Sequence, residues 1–112
     1  MTVDPAEFTI VLVTVPDADT ARRLARMLVD ERLIACANVL GPIQSIYRWQ
    51  GVVEEAAEHL LVLKARRADL AMLTARIEAL HPYDTPEVLA LPLIAGAQRY
   101  LTWLADVTDR ES

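Results

Sequence analysis

The sequence lacks the glycine- and cysteine-based motifs on which many enzymes and secreted proteins depend. Its 112 residues include only three glycines and one cysteine. No phosphate-binding loop, no GxGxxG dinucleotide motif and no GxSxG nucleophile motif occurs. The single cysteine, Cys36, excludes an intramolecular disulfide and fits a reducing compartment. The sequence therefore contains no motif that would identify an enzyme, and no organic cofactor is predicted.

The chain also lacks an excess of basic charge and long apolar runs, and we expect no leader sequence. The formal net charge is −5 and the isoelectric point about 4.9, whereas nucleic-acid binding needs a basic field. No segment carries the roughly 18 consecutive apolar residues of a membrane-spanning helix. Residues 1–7 include Asp4 and Glu7 but no basic residue, which differs from a signal peptide. We expect a cytoplasmic protein that binds neither membrane nor nucleic acid.

Apolar residues, by contrast, are abundant. They make up 54% of the chain, above the usual range of about 45–50%. A chain of this length forms one domain and can bury roughly two-thirds of its unfolded surface without metal or disulfide support. The surplus of apolar residues must therefore lie in an unusually complete core or be buried against another chain.

Hydrophobic periodicity predicts the element order β-α-β-β-α-β followed by a terminal helix. Strands are expected over residues 8–15, 33–49, 52–65 and 87–93, with a bulge or bend at Gly41-Pro42 and a hairpin turn at Gln50-Gly51. Helices are expected over residues 18–31, 69–80 and 98–106. Asp17 or Asp19 would cap the first helix, and His81-Pro82 would end the second.

This order is typical of an α+β domain with the ferredoxin-like split βαβ fold. Residues 1–112 are predicted to form a single domain, with a core over about 8–108 and a frayed tail at 109–112. Both main helices would cover one face of the sheet, yet the strands carry apolar residues toward both faces. We therefore expect further copies of the chain to cover the second face.

Two aromatic residues and one lysine stand out in the central strands. Alternation places Tyr47 and Trp49 on one face of their strand, where they either fill a subunit interface or line a ligand site. Lys64 lies within an otherwise apolar strand. Its ammonium group must either form an ion pair at a subunit contact or bind an anion or substrate. Candidate carboxylates for the ion pair are Glu54, Glu55, Glu58 and Glu87.

The segment from His81 to Glu87 brings a histidine, a tyrosine and two carboxylates together after a helix. His81 can serve as a hydrogen-bonding structural residue or as a transition-metal ligand, since imidazole is a common metal ligand. Metal sites need three or four ligands, and no HxxxH, CxxC or HExxH spacing occurs. Cys36 is expected to be a buried filler in its apolar strand, although three copies meeting at a trimer axis would suit Cu(I).

Six segments resemble the CutA family of divalent-cation tolerance proteins, in order and across residues 8–108. They are VLVTVPD at 11–17, ERLIACANVL at 31–40, SIYRWQGVVE at 45–54, LLVLKA at 60–65, HPYDTPEVLALP at 81–92 and YLTWL at 100–104. The YRW-G-E and HPY-x-x-PEVLALP blocks are the most specific. The resemblance implies a ferredoxin-like fold, a homotrimer around a central axis, a role in tolerance of divalent cations, copper especially, and no catalytic activity.

The resemblance also implies a shared ligand site in the clefts between subunits. The corresponding residues here are Tyr47, Trp49, Lys64, His81, Tyr83 and Glu87. Copper binding in family members is linked to a cysteine in the first strand and to a pair of histidines before the Pro-Tyr. Val13 and Leu80 stand at two of those positions in this sequence. His81 is the ligand that remains, and it is the predicted metal-binding residue.

The leading prediction is a non-enzymatic homotrimer that responds to divalent cations and binds copper, another divalent cation or a small ligand in its clefts. One alternative is a trimeric scaffold whose clefts bind a protein partner. A second is a signalling trimer similar to the PII proteins that binds a metabolite. A third is a small enzyme or nucleotide sensor that uses His81, Tyr83 and Lys64, against which the missing phosphate loop counts.

Overall fold

The computed structural model describes residues 2–111, which form four strands and three α-helices. The strands are β1 (Phe8–Val15), β2 (Cys36–Trp49), β3 (Val52–Arg66) and β4 (Leu89–Pro92). The helices are α1 (Ala18–Asp30), α2 (Leu70–Leu80) and α3 (Gln98–Val107), and short 3-10 turns precede β1 and α2. All strand pairs are antiparallel, in the order β2-β3-β1-β4. The predicted α+β element order is confirmed.

The main core lies between the sheet and helices α1 and α2. On β1, Val11, Val13 and Val15 are fully buried because alternate residues of a strand face the same side. The helices contribute apolar side chains spaced four residues apart, namely Leu24 and Leu28 of α1 and Leu73 and Ile77 of α2.

None of the helices within residues 2–111 is long and apolar enough to span a bilayer.

Helix α3 covers one end of the opposite face of the sheet. Phe8 faces away from the main core by strand alternation and packs with Leu101 and Leu104 of α3. Arg66 fixes the end of this helix, since its Nη2 donates to the carbonyl of Ala105 at 2.7 Å and its guanidinium lies 5.6 Å from the centre of the Phe8 ring. Helices therefore lie on both faces of the sheet, whereas the sequence predicted helical cover on one face only.

The rest of this second face is incompletely covered in a single chain. It is formed by alternate residues of β1, β3 and β4, namely Ile10, Leu12, Leu60, Val62, Leu89 and Leu91. Leu89 and Leu91 are 56% and 45% exposed. An apolar sheet face of this kind is typical of a contact surface between proteins.

Helix α1 is bounded by a local motif at each end. The side chain of Asp17 accepts a hydrogen bond from the N–H of Thr20 at 2.7 Å, which is the predicted N-cap. After the helix, Arg32 adopts a positive φ of 58° and the chain turns back in a Schellman-type motif. Because this turn and the residues that follow it are not paired as a strand, β2 begins at Cys36 rather than at the predicted residue 33.

The C-terminal tail is held against the start of α2, although the sequence predicted a frayed tail. Arg110 donates to both carboxylate oxygens of Asp69, at 2.7 and 3.1 Å. The carboxylate of Asp69 forms this ion pair. Although Asp69 directly precedes α2, its side chain makes no N-cap hydrogen bond to the helix. Ser112, the last residue of the predicted tail, lies outside the described residues.

Strand β4 begins two residues later than predicted because the side chain of His81 takes the place of the next backbone pairing between β4 and β1. The β1–β4 register, extended by two residues, would place Glu87 opposite Thr14. Instead, the ring Nε2 of His81 lies 2.7 Å from the carbonyl oxygen of Thr14. The ladder therefore begins at Leu89, and residues 81–88, termed the loop from here on, remain unpaired beside the end of β1.

The outer parts of β2 and β3, residues 43–58, form a two-stranded arm. Strand β1 pairs with β3 only as far as His59, so the arm extends beyond the four-stranded sheet. The whole chain is accordingly long, with principal dimensions of 51, 25 and 23 Å. A register shift between Leu40 and Ile43 marks the predicted bulge, and Gln50 and Gly51 adopt the positive φ of the predicted hairpin turn.

Candidate functional site

A cleft of about 610 Å³ lies between the arm and the loop. The arm contributes Ser45, Ile46, Tyr47, Trp49, Glu54 and Glu58, the loop contributes Tyr83, Asp84, Thr85 and Glu87, and Thr14 completes the lining from the end of β1. This volume falls in the range of small-molecule sites, about 300–1,000 Å³. Aromatic rings and carboxylates make up most of the lining.

The bulge at the base of the arm brings its aromatic and acidic side chains onto one face. Beyond the bulge, Tyr47 pairs with Glu54 and Ile43 pairs with Glu58. Cross-strand partners point to the same side of a sheet, so Tyr47 and Glu54 share a face, and alternation adds Trp49 and Glu58 to it. A one-residue shift moves every side chain of a strand to the other face. Without the bulge, the aromatic residues would point away from the carboxylates.

The loop is fixed by His81, which is buried and does not line the cleft. Its Nδ1 accepts a hydrogen bond from the N–H of Tyr83 at 3.0 Å. Because Nδ1 accepts, Nε2 carries the proton and donates to the carbonyl of Thr14. The rings of His81 and Tyr83 also pack against each other, with their centroids 4.7 Å apart. Both ring nitrogens therefore hold the loop in place and orient Tyr83.

Tyr83 connects the loop to Glu58 on the arm. Its hydroxyl donates to Oε2 of Glu58 at 2.9 Å. Burial raises the pKa of Tyr83 to about 12, and the hydrogen bond to Glu58 contributes to this rise. Tyr83 therefore remains a protonated donor at neutral pH and holds the Glu58 carboxylate in position.

The cleft carries charge of one sign. Its charged side chains are Glu54, Glu58, Asp84 and Glu87, and none of the lining residues, all within the described range 2–111, is lysine, arginine or histidine. Arg48 of the arm faces the other way by alternation, and its guanidinium donates to the carbonyl of Gly51 at 3.3 Å. The resulting field attracts cations and repels anions.

Four of the six residues predicted for a cleft between subunits line this cleft of the single chain, namely Tyr47, Trp49, Tyr83 and Glu87. His81 lies behind the lining and positions Tyr83. Lys64 lies elsewhere, and its ammonium group donates to the side-chain oxygen of Asn38. Six residues of extended strand, about 20 Å, separate Lys64 from Glu58. Within one chain, Lys64 therefore does not line the cleft, because β3 carries it toward the opposite end of the sheet.

The described part of the chain brings together no cluster of acidic, histidine and cysteine side chains of the kind that usually holds a metal ion. No group of three or more His, Cys, Asp or Glu side chains within residues 2–111 lies close enough to hold an ion. His81, the predicted metal ligand, uses both ring nitrogens within the chain, so a metal ion would have to break one of these hydrogen bonds. Val13, at the position of the family's copper-linked cysteine, is fully buried in the core.

Cys36 lies on the second face of the sheet, where it contacts α3. Its Sγ is 3.6 Å from the hydroxyl oxygen of Tyr100. The hydrogen bond with the thiol, followed by burial, raises the pKa of Tyr100 to about 12. The thiol is half-buried rather than fully buried, and it packs β2 against the terminal helix.

The sequence prediction omitted three acidic residues that line the cleft. Glu54 and Glu58 entered it only as candidate partners for Lys64, and Asp84 entered it only as one of the two carboxylates of the segment from His81 to Glu87. The turn at Gln50-Gly51 sets the register of the arm, and counting back from it pairs Tyr47 with Glu54. That signal was available in the sequence. For Asp84 the sequence indicated only its proximity to His81, Tyr83 and Glu87, because its place in the cleft depends on the loop that His81 holds.

Sequence comparison relates the chain to proteins of divalent-cation tolerance. The family model of the CutA1 divalent ion tolerance protein matches residues 9–107. The divalent-cation tolerance protein CutA of Thermus thermophilus is 48% identical over 99 residues, which are 88% of this chain and 96% of that protein. The chloroplastic protein CutA of Arabidopsis thaliana is 43% identical over 99 residues, which are 88% of this chain and 54% of that protein.

Solved structures of similar proteins have the same fold. The crystal structure of CutA1 from Oryza sativa gives a TM-score of 0.90 at 43% identity, covering 99% of this chain and 98% of that one. The divalent cation tolerance protein of Thermus thermophilus gives a TM-score of 0.85 at 47% identity, covering 87% of this chain and 94% of that one. This chain therefore belongs to the CutA1 divalent ion tolerance family.

Proposed function

We propose that this protein acts in the tolerance of divalent cations as a cytoplasmic homotrimer that binds a ligand in the cleft and catalyses no reaction. Membership of the family supports the link to divalent cations, since the Thermus relative is named a divalent-cation tolerance protein. The observation that carries the proposal is the cleft itself, in which aromatic rings and four carboxylates surround a volume suited to a small ligand.

The second face of the sheet supports the homotrimer. Leu40, Leu89 and Leu91 are between 45% and 56% exposed on this face, and contact with another copy would remove that exposure. The surplus of apolar residues in the sequence, 54% of the chain, is accommodated in the same way. Closed cyclic symmetry allows each copy to cover one neighbour and to be covered by the other.

Copper is the first ion to test, because it is the ion that the family resemblance implies. The carboxylates of the cleft are suitable ligands for divalent cations in general. Because no three His, Cys, Asp or Glu side chains converge within residues 2–111 of one chain, an ion held at the cleft would need further donors, and a second subunit can supply them.

Native mass spectrometry with and without Cu(II) at neutral pH tests assembly and metal uptake together. We expect the mass of three 12.5 kDa chains and a defined number of ions per trimer. Glu58→Gln should remove ions bound at the cleft, whereas Glu78→Gln, which alters an exposed carboxylate on α2, should leave them in place. A monomer would contradict the assembly. A trimer without specific metal uptake would contradict the metal-binding part alone and leave a small-ligand role.

A scaffold that binds a protein partner is the second candidate function. It is favoured by the apolar tip of the arm, where Val52 and Val53 are each 59% exposed. Val53→Asp should abolish binding of a partner at this tip while the trimer mass is kept. Loss of the trimer in this variant would instead assign the tip to self-assembly.

A further inference from the structure

We draw no further inference here: the strongest candidate, the side chain of Lys64 on the second face of the sheet as a basic partner for the acidic cleft of a neighbouring copy, restates the shared cleft between subunits that the family resemblance already implies, and nothing in the structure shows what covers that face.

Discussion

The hydroxyl of Tyr83 donates a 2.9 Å hydrogen bond to the carboxylate of Glu58, and this contact joins the loop after α2 to the arm. The connection continues from the N–H of Tyr83 to Nδ1 of His81 and from Nε2 of His81 to the carbonyl of Thr14. His81 therefore affects the cleft through Tyr83 without lining it. The histidine that the sequence singled out as a metal ligand is, within this chain, the residue that positions the loop.

Replacing Tyr83 by Phe should lower the free energy of unfolding by about 1–3 kcal/mol, because the buried carboxylate of Glu58 loses its donor. Urea denaturation of the variant and the wild-type protein measures the change. Tyr47→Phe alters a hydroxyl on a 41% exposed residue of the same cleft and should change stability by no more than about 0.5 kcal/mol. Equal losses in the two variants would contradict a specific role for the Tyr83–Glu58 bond.

The pH dependence of the Tyr83→Phe effect has a definite sign. Folding raises the pKa of Tyr83 from its ordinary value of 10.0 to about 12. A group whose pKa is raised on folding contributes stability that is fully present below the unfolded pKa and is lost as the pH rises through the folded pKa. The difference between wild type and Tyr83→Phe should therefore shrink between pH 10 and about pH 12. A difference that grows over this range would contradict the assignment.

The bulge at the base of the arm depends on the absence of a side chain at Gly41. A Cβ atom placed there would lie 2.5 Å from Cδ2 and 2.7 Å from Cγ of the His59 ring. Gly41→Ala should therefore cost about 1–3 kcal/mol through overpacking. A double-mutant cycle compares the unfolding free energies of the wild-type protein, Gly41→Ala, His59→Ala and the double variant. Because His59→Ala removes the ring, Gly41→Ala should destabilise the protein less in that background. An unchanged cost in the His59→Ala background would show that the backbone conformation of Gly41, not the ring, sets the penalty.

Local sequence signals account for most of the fold. Asp17 ahead of an apolar helical stripe predicted the N-cap that Thr20 completes. Gly41-Pro42 and Gln50-Gly51 predicted the bulge and the turn that together set the register of the arm. These features were predictable because each depends on the residue's own backbone preference or on side chains within one turn.

The composition of the cleft was only partly predictable, because it depends on contacts between residues far apart in sequence. The shortening of β4 results from the ring of His81 taking the carbonyl of Thr14, 67 residues earlier in the chain. Lys64 was predicted to line a cleft shared between subunits, which stays a prediction; within one chain, the length of β3 separates it from the cleft. The ion pair between Arg110 in the tail and Asp69 was not predicted, because the two residues lie 41 positions apart in the sequence.

The packing of α1 against the sheet gives a prediction that is independent of ligand and assembly. Leu28 is fully buried in the main core, whereas the next residue, Val29, is 40% exposed. Leu28→Ala should destabilise the protein by about 2–5 kcal/mol through lost burial and a residual cavity. Val29→Ala should change stability by no more than about 0.5 kcal/mol. Chemical denaturation checks both, and a similar loss in both variants would contradict the orientation of α1.

The second face of the sheet gives the sharpest test of assembly. Leu89 on this face and Met72 on α2 are 56% and 53% exposed in a single chain, so folding of one chain should tolerate a charge at either position. In a trimer that buries the second face, Leu89→Asp would place a carboxylate in an apolar interface, which is unfavourable. Met72→Asp serves as the matched control, because α2 covers the other face of the sheet.

We expect Leu89→Asp to shift the native mass from trimer toward monomer and Met72→Asp to remain trimeric. The melting temperature should also respond, because assembly stabilises the folded state by mass action. The melting temperature of the wild-type protein should rise with protein concentration. The melting temperature of Leu89→Asp should be lower and should not depend on concentration. Trimeric behaviour of both variants would exclude the second face from the subunit contact. Dissociation of both would place α2 in the contact as well and require a different arrangement of the copies.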